Sequence, residues 1–161
     1  MSEFHPETRL PPEVIEAFIS SALIALQELA HCEAVPGGLA TPPLTFPGNS
    51  TIAAMRLLRR LPGTLTLIVP AEVAFHLARG YLPEGADLTH DIVDDVVGEF
   101  ANVIAGQTKT VLKGSPYHFA LSLPAVSRAP YAADVEDTAL VLITPAGPLW
   151  LVVALPPCDG A

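Results

Sequence analysis

The residues whose types and spacing could do chemistry are concentrated in one segment. Asp91, Asp95, Glu99, Asn102, Gly106 and Lys109 follow one another at steps of three and four residues, which in an α-helix puts them on one narrow stripe. Val93, Val97, Phe100, Ile104 and Val111 cluster on the opposite side, within about 60° of one another, and are the expected buried face. Charged residues alone would make the stripe an ordinary solvated face. Asn102 and Gly106 do not fit that reading. An asparagine at mid-helix competes for backbone hydrogen bonds, and a glycine there costs about 1 kcal/mol relative to alanine. A glycine on an exposed ridge lets a partner approach closely. A carboxylate one turn before an amide can meet a positive group and hold a water molecule without the amide titrating. The stripe therefore reads as a face that meets a partner, with an acceptor beside an amide able to position water.

Other constellations are weaker. Glu28 and His31 have the spacing of a di-iron ligand pair, but such sites need a second Glu-x-x-His, and Glu72 to His76 has the wrong step. No metal site is expected. His5, His31, His76, His90 and His118 are scattered, as structural or surface histidines are. The stretch from Gly106 to Thr110 lies inside a helix, and Ala101 stands where a phosphate loop needs its earlier glycine. No Gly-x-Ser-x-Gly is present, and Cys32 and Cys158 have no motif around them, so nucleophilic catalysis has no support. Arg56, Arg59 and Arg60 form the one basic cluster and read as solvated charges flanking a hairpin.

Composition narrows the function classes further. With 161 residues the chain is one ordinary domain, and with 50% hydrophobic and 16% charged residues it is not compositionally disordered. Eight Lys and Arg against 17 Asp and Glu, a net charge of -9, repel a phosphate backbone or an anionic leaflet, so neither nucleic acid nor a membrane surface is an expected partner. The most apolar stretch, 139–155, is broken by Thr144, Pro145, Ala146, Gly147 and Pro148 and reads as two strands around a turn, not a membrane span. The polar start MSEFHPETRL is unlike a secretory leader, and a cytoplasmic protein with reduced thiols is expected.

The elements that must position the stripe follow from periodicity. Val14, Ile15, Phe18, Ile19, Ala22, Leu23, Leu26 and Leu29 predict a helix over 12–31. Residues 35–50, rich in Gly, Pro and Thr, read as extended edge structure and loop. Strands are expected at 51–58 and 64–69, joined through Leu61, Pro62 and Gly63, then a short helix at 71–79 with Gly80 as its left-handed cap. The stripe helix runs from 90 to 113, capped by Thr89 and closed by Lys109, Lys113 and Gly114. A half-buried strand at 117–123 ends at Pro124, a loop covers 127–136, and a hairpin pairs 138–143 with 149–155. Helices separated by hairpins give an α+β fold with a mostly antiparallel sheet. The expected organisation is a flexible tail at 1–11, one domain at 12–156 and a tail at 157–161. Long apolar hairpin strands would need protection, so a homodimer through sheet edges or the hairpin is expected.

The segment DDVVGEFANVIAGQTKTVL, Asp94 to Leu112, resembles the signature helix of the CheX/CheC family of chemotaxis phosphatases: Asp or Ser, three residues, Glu, two residues, Asn, and a later Pro. The matching positions are Asp95, Glu99, Asn102 and Pro124. The intervening residues, 103–123, are one fewer than the family spacing, and the Gly114-Ser115-Pro116 loop can absorb the difference. The likeness extends more loosely over most of the chain beyond Pro12. It implies a CheC/CheX-like layered fold, a mostly antiparallel sheet with two long helices packed on it, and a phosphorylated receiver domain of a response regulator in two-component signalling as the partner. It further implies that Glu99 pairs with the receiver's lysine and Asn102 orients the hydrolytic water. Asp95, Gly106, Lys109 and Pro124 would contact that partner. No cofactor of its own is implied, because the receiver would bring Mg²⁺. Three residues after Glu13, Glu16 and Glu28 come Glu16, Ile19 and His31, so the first helix lacks a second motif. One site per chain is expected, as in the dimeric CheX form. The alternative is a non-catalytic module of the same fold that docks a receiver, a flagellar-switch or an adaptor component.

Overall fold

A computed structural model describes residues 10–156. The first helix, α1 (Pro12–Ala30), buries Val14, Ala17, Phe18, Ala22, Ala25 and Leu26 along one stripe. It ends where His31 turns left-handed, and the Cys32 N–H donates to the Leu26 carbonyl at 3.0 Å, the double closure of a Schellman stop. Leu10, just before α1, is 2% exposed and joins the core. Cys32 is buried too, and burial pushes its thiol pKa up, which keeps it unreactive. Cys158 lies outside the described residues.

Residues 35–50 form β1 (Val35–Ala40) and β2 (Leu44–Phe46). After them come β3 (Thr51–Leu58), β4 (Gly63–Val69), α2 (Ala71–Tyr81) and α3 (His90–Val111). The chain closes with β5 (Ala120–Leu121), β6 (Ala125–Ser127), β7 (Tyr131–Ala133), β8 (Thr138–Thr144) and β9 (Gly147–Ala154). The described residues thus contain three helices, the short one expected at 71–79 being α2, 11 residues long. No helix among the described residues is long and apolar enough to cross a membrane.

One antiparallel sheet runs in the order β1-β8-β9-β4-β3, with β5 and β6 sharing the outer edge beside β3. The helices cover one face, and the separate ribbon of β2 and β7 covers part of the other, where Phe46 meets Trp150 edge-on at 5.0 Å. The burial pattern of β3 records where that ribbon stops. Thr51, Ile52 and Ala53 are buried on both faces, whereas Met55, Arg56, Leu57 and Leu58 alternate in and out, as a strand with one wet face must.

Several expectations change. The hairpin strands β8 and β9 lie inside the sheet, paired with β1 and β4 on their outer sides, so they need no second copy to protect them. The strand expected over 117–123 keeps ladder pairing only at Ala120–Leu121. Phe119 is drawn into the core, where its ring stacks on Phe18. The ladder then passes through a side chain: Ser122 N–H donates to the Arg56 carbonyl, and the Arg56 N–H donates back to Ser122 Oγ at 2.8 Å. Pro124, with no N–H to give, falls in the gap before β6. Arg59 is no free surface charge, because its guanidinium donates to the carbonyls of Leu61, Pro116 and Pro156 and ties three loops together.

Gly80 does not cap α2. It lies inside the helix, where a Cβ would collide with the Ala30 carbonyl at the end of α1. The missing side chain is what lets these helices touch. Gly80→Ala should therefore destabilise the protein by about 2 kcal/mol, the scale of overpacking, although intrinsic propensity alone favours alanine by about 1 kcal/mol. Urea unfolding of the two proteins checks this, and a more stable variant would contradict the packing.

Candidate functional site

The rotation of α3 is set by its buried residues. Val93, Val97, Phe100 and Ile104 are each at most 2% exposed and face the sheet and the neighbouring helices. The Thr89 hydroxyl accepts from the Ile92 N–H at 3.2 Å and fixes the start, so the expected cap is present. Val111 is the exception, at 62% exposure. Thr108 takes the last buried position instead, its hydroxyl satisfied by the Ile104 carbonyl at 2.8 Å, and the helix then runs out beyond its cover.

With α3 so fixed, Asp91, Asp95 and Glu99 are exposed, and Asn102, Gly106 and Lys109 are half-buried along the same outer ridge. Five of the six expected site positions (Asp95, Glu99, Asn102, Gly106 and Lys109) therefore share one surface. Pro124, the sixth, stands on the edge segment between β5 and β6, half-buried, next to Leu123, which is 85% exposed.

Two flanks bound the ridge. On one side, Val103, Gly106, Gln107 and Val111 form an open groove of about 540 Å³ with Ser20, Ile24 and Glu28 of α1. Gln107 Oε1 is buried there without a partner. On the other side, β6 lies against the helix. A Cβ on Gly98 would stand 3.1 Å from Val126 Cγ2. The Asp94 carboxylate takes two contacts from Arg128, Nη2 to Oδ2 at 2.7 Å and Nε to Oδ1 at 3.3 Å, and a third from the Thr51 hydroxyl at 3.0 Å.

Sequence reasoning missed that cluster. Asp94 is adjacent to Asp95 but turned by about 100°, away from the ridge, and nothing local links it to Arg128 or Thr51. His31 caps α1. Among the described residues no group of three or more His, Cys, Asp or Glu could hold a metal ion. The ridge can offer a carboxylate, an amide and an ammonium group on a convex surface open to a partner, and none of its six residues is a Ser, Thr or Cys.

The family model for the chemotaxis phosphatase CheX matches residues 51–143, which span the sheet from β3 through most of β8 and the whole of α3. A search among curated proteins finds no match. Among solved structures, a protein of Desulfovibrio vulgaris Hildenborough superimposes with a TM-score of 0.80 at 20% identity, over 89% of this chain and 97% of its own. CheX from Vibrio vulnificus gives 0.75 at 17% identity, over 88% and 98%. A chain in the complex of CheX, CheY, BeF3 and Mg²⁺ from Borrelia burgdorferi gives 0.68 at 18% identity, over 89% and 97%. At such identities the likeness shows the fold alone.

A side chain at Gly106 would meet nothing within 4 Å. Gly106→Leu should accordingly fold and gain up to about 1 kcal/mol from helix propensity. A thermal melt lower than that of the wild type would mean that this part of the ridge packs on its own chain.

Proposed function

The chain belongs to the CheX family of chemotaxis phosphatases, and on that footing we propose that it hydrolyses the aspartyl phosphate of a CheY-like receiver domain. The observation that carries this reading is the shared ridge: Glu99 exposed, Asn102 one turn on and half-buried, and open space above Gly106. A convex ridge suits a reaction centre that belongs to the partner.

In this reading Glu99 pairs with the receiver's lysine and thereby orients the two proteins. The Asn102 carboxamide accepts from the attacking water and holds its oxygen in line with phosphorus. As the new P–O bond forms, the bond to the aspartyl oxygen breaks, leaving a free carboxylate and inorganic phosphate, with the water's proton passing to phosphate or solvent. Phosphoryl transfer asks little covalent work of the protein, so orientation is the main contribution. An aspartate at 102 would repel the phosphoryl oxygens, whereas the amide is neutral and does not titrate. Mg²⁺ comes with the receiver, whose complex with a structural neighbour contains it. Asp95, Gly106, Lys109 and Pro124 contribute contacts around this pair, and the reaction belongs in the cytoplasm, where receivers are phosphorylated.

The expected homodimer is also part of the proposal, and of its two expected interfaces, a sheet edge or the hairpin, the β1 edge of the sheet is the one left open. Val35 and Ile143 are register partners there, 59% and 40% exposed. Pro36 and the bulge before Leu39 blunt that edge against strand addition, so the contact would be made by side chains. Sedimentation at concentrations on the order of tens of micromolar should give a dimer, and Val35→Glu with Ile143→Glu should give a monomer. A monomeric wild type would reject the dimer.

The decisive measurement is phosphate release from phosphorylated CheY-like receivers with and without the protein. Asn102→Ala should slow it by a factor of about 10², the scale of losing one orienting donor, with an unchanged melting temperature and retained binding to the BeF3-loaded receiver. Binding of that receiver by the wild type without accelerated phosphate release would instead favour the non-catalytic docking module.

A further inference from the structure

Building on that reading, we propose that Arg128 is a positioning residue for the dephosphorylation: through Asp94 it sets the register of the edge strand on α3 and holds the Leu123–Pro124 corner beside Asn102. Two contacts join strand to helix, Arg128 to Asp94 and Val126 to Gly98. Between them the strand advances two residues, roughly 6.6 Å at about 3.3 Å each. The helix advances four, about 6 Å at 1.5 Å each. The pitches match and the directions are opposite. One further step of the same size brings residue 124 level with residue 102, which gives a physical reason for a proline following the motif helix at a set distance.

The corner is otherwise held only through its neighbours' bonds to β3, Ser122 with Arg56 and Ala125 with Ala54, none of which reaches α3. All three residues of β6 are exposed and pair only with β3. Pro124 has no N–H for a ladder bond, and Leu123 stands 85% exposed. The clamp, by contrast, is prepared from both sides. The Thr51 hydroxyl on β3 orients the carboxylate of Asp94, and the guanidinium then closes on both its oxygens. Such a two-pronged, charge-assisted contact fixes direction as well as distance. Gly98 lets the strand lie close, since a Cβ there would crowd Val126 Cγ2 at 3.1 Å. The ion pair is part-exposed, 37% and 21% for the two side chains, so it contributes little to global stability, and its effect falls on the placement of the corner.

Arg128→Ala and Arg128→Lys in the full chain test this by two readouts, amide hydrogen exchange and steady-state dephosphorylation of a phosphorylated CheY-like receiver. In Arg128→Ala, exchange over residues 125–127 should accelerate about tenfold and KM should rise about tenfold, the scale of one lost charge-assisted contact, with kcat nearly unchanged. Arg128→Lys should fall between, keeping the charge but losing the second prong. Asn102→Ala should show the converse split, with kcat lost and exchange unaltered. Faster exchange with unchanged KM would make the clamp merely structural and overturn the proposal, as would unchanged exchange. If exchange rises throughout α1 and β9 as well, the alanine variant has lost its fold, and the lysine variant decides by the same criteria. A wild type that turns over no receiver refutes the phosphatase reading, and the positioning role falls with it, while the exchange data still report whether the clamp exists.

Discussion

The rotation of α3 about its own axis is the constraint on which the rest depends. Val93, Val97, Phe100 and Ile104 are packed to near-zero exposure, and removing any one of them from the core would cost several kcal/mol. At 100° per residue, that burial leaves no freedom in where Glu99 and Asn102 point. The candidate ridge is what remains after the sheet below, α1 on one flank and β6 on the other have taken their shares of the helix surface. A helix held on fewer sides could roll, and a site defined by one angular stripe would then smear.

That dependence explains what was legible in the sequence. The three- and four-residue spacing of the apolar positions in α1 and α3 is a local signal, strong enough to fix both helices and the exposed ridge, and Thr89 marked the start of α3. The β3–β4 and β8–β9 pairs were legible for the same reason, since each is joined through a turn rich in Gly or Pro. Strand order was not. Nothing near β8 or β9 tells that β1 and β4 flank them, and that order turns a supposed edge into the middle of the sheet. The strand at 117–123 failed differently: its alternation is real, but Phe119 serves the helix core, and Ser122 and Pro124 interrupt the ladder. Asp94 with Arg128 was invisible because a long-range ion pair leaves no periodicity behind.

Three glycines on the helices make the same point about side-chain absence. Gly80 is required because the Ala30 carbonyl occupies the space its Cβ would fill, and Gly98 eases a close contact with Val126, which a Cβ would crowd. Gly106 has no such neighbour. The sequence cost is alike in all three, about 1 kcal/mol of helix propensity, but only the first two recover it in contacts within the chain. Gly106 is left with an uncompensated cost on the very ridge that carries Asn102, so its compensation, if selected, lies outside the chain.

A site on a convex ridge also limits what this protein can do alone. Water exclusion strengthens electrostatic and hydrogen-bonding contributions to a reaction, and an exposed Glu99 beside a half-buried Asn102 excludes none. In the proposed reaction the receiver completes the enclosure. The free chain would then carry orientation without catalysis, and turnover would depend on how accurately the two surfaces seat against each other. Errors of placement on the order of an ångström cost heavily in such reactions, which shifts the structural burden from the two polar side chains to the elements around them. The long buried face of α3 supplies the rigidity along the helix. In the proposed complex its flanks, the groove beside α1 and the strand fastened at Asp94, add to the ridge's own contacts the surfaces by which one receiver could be told from another.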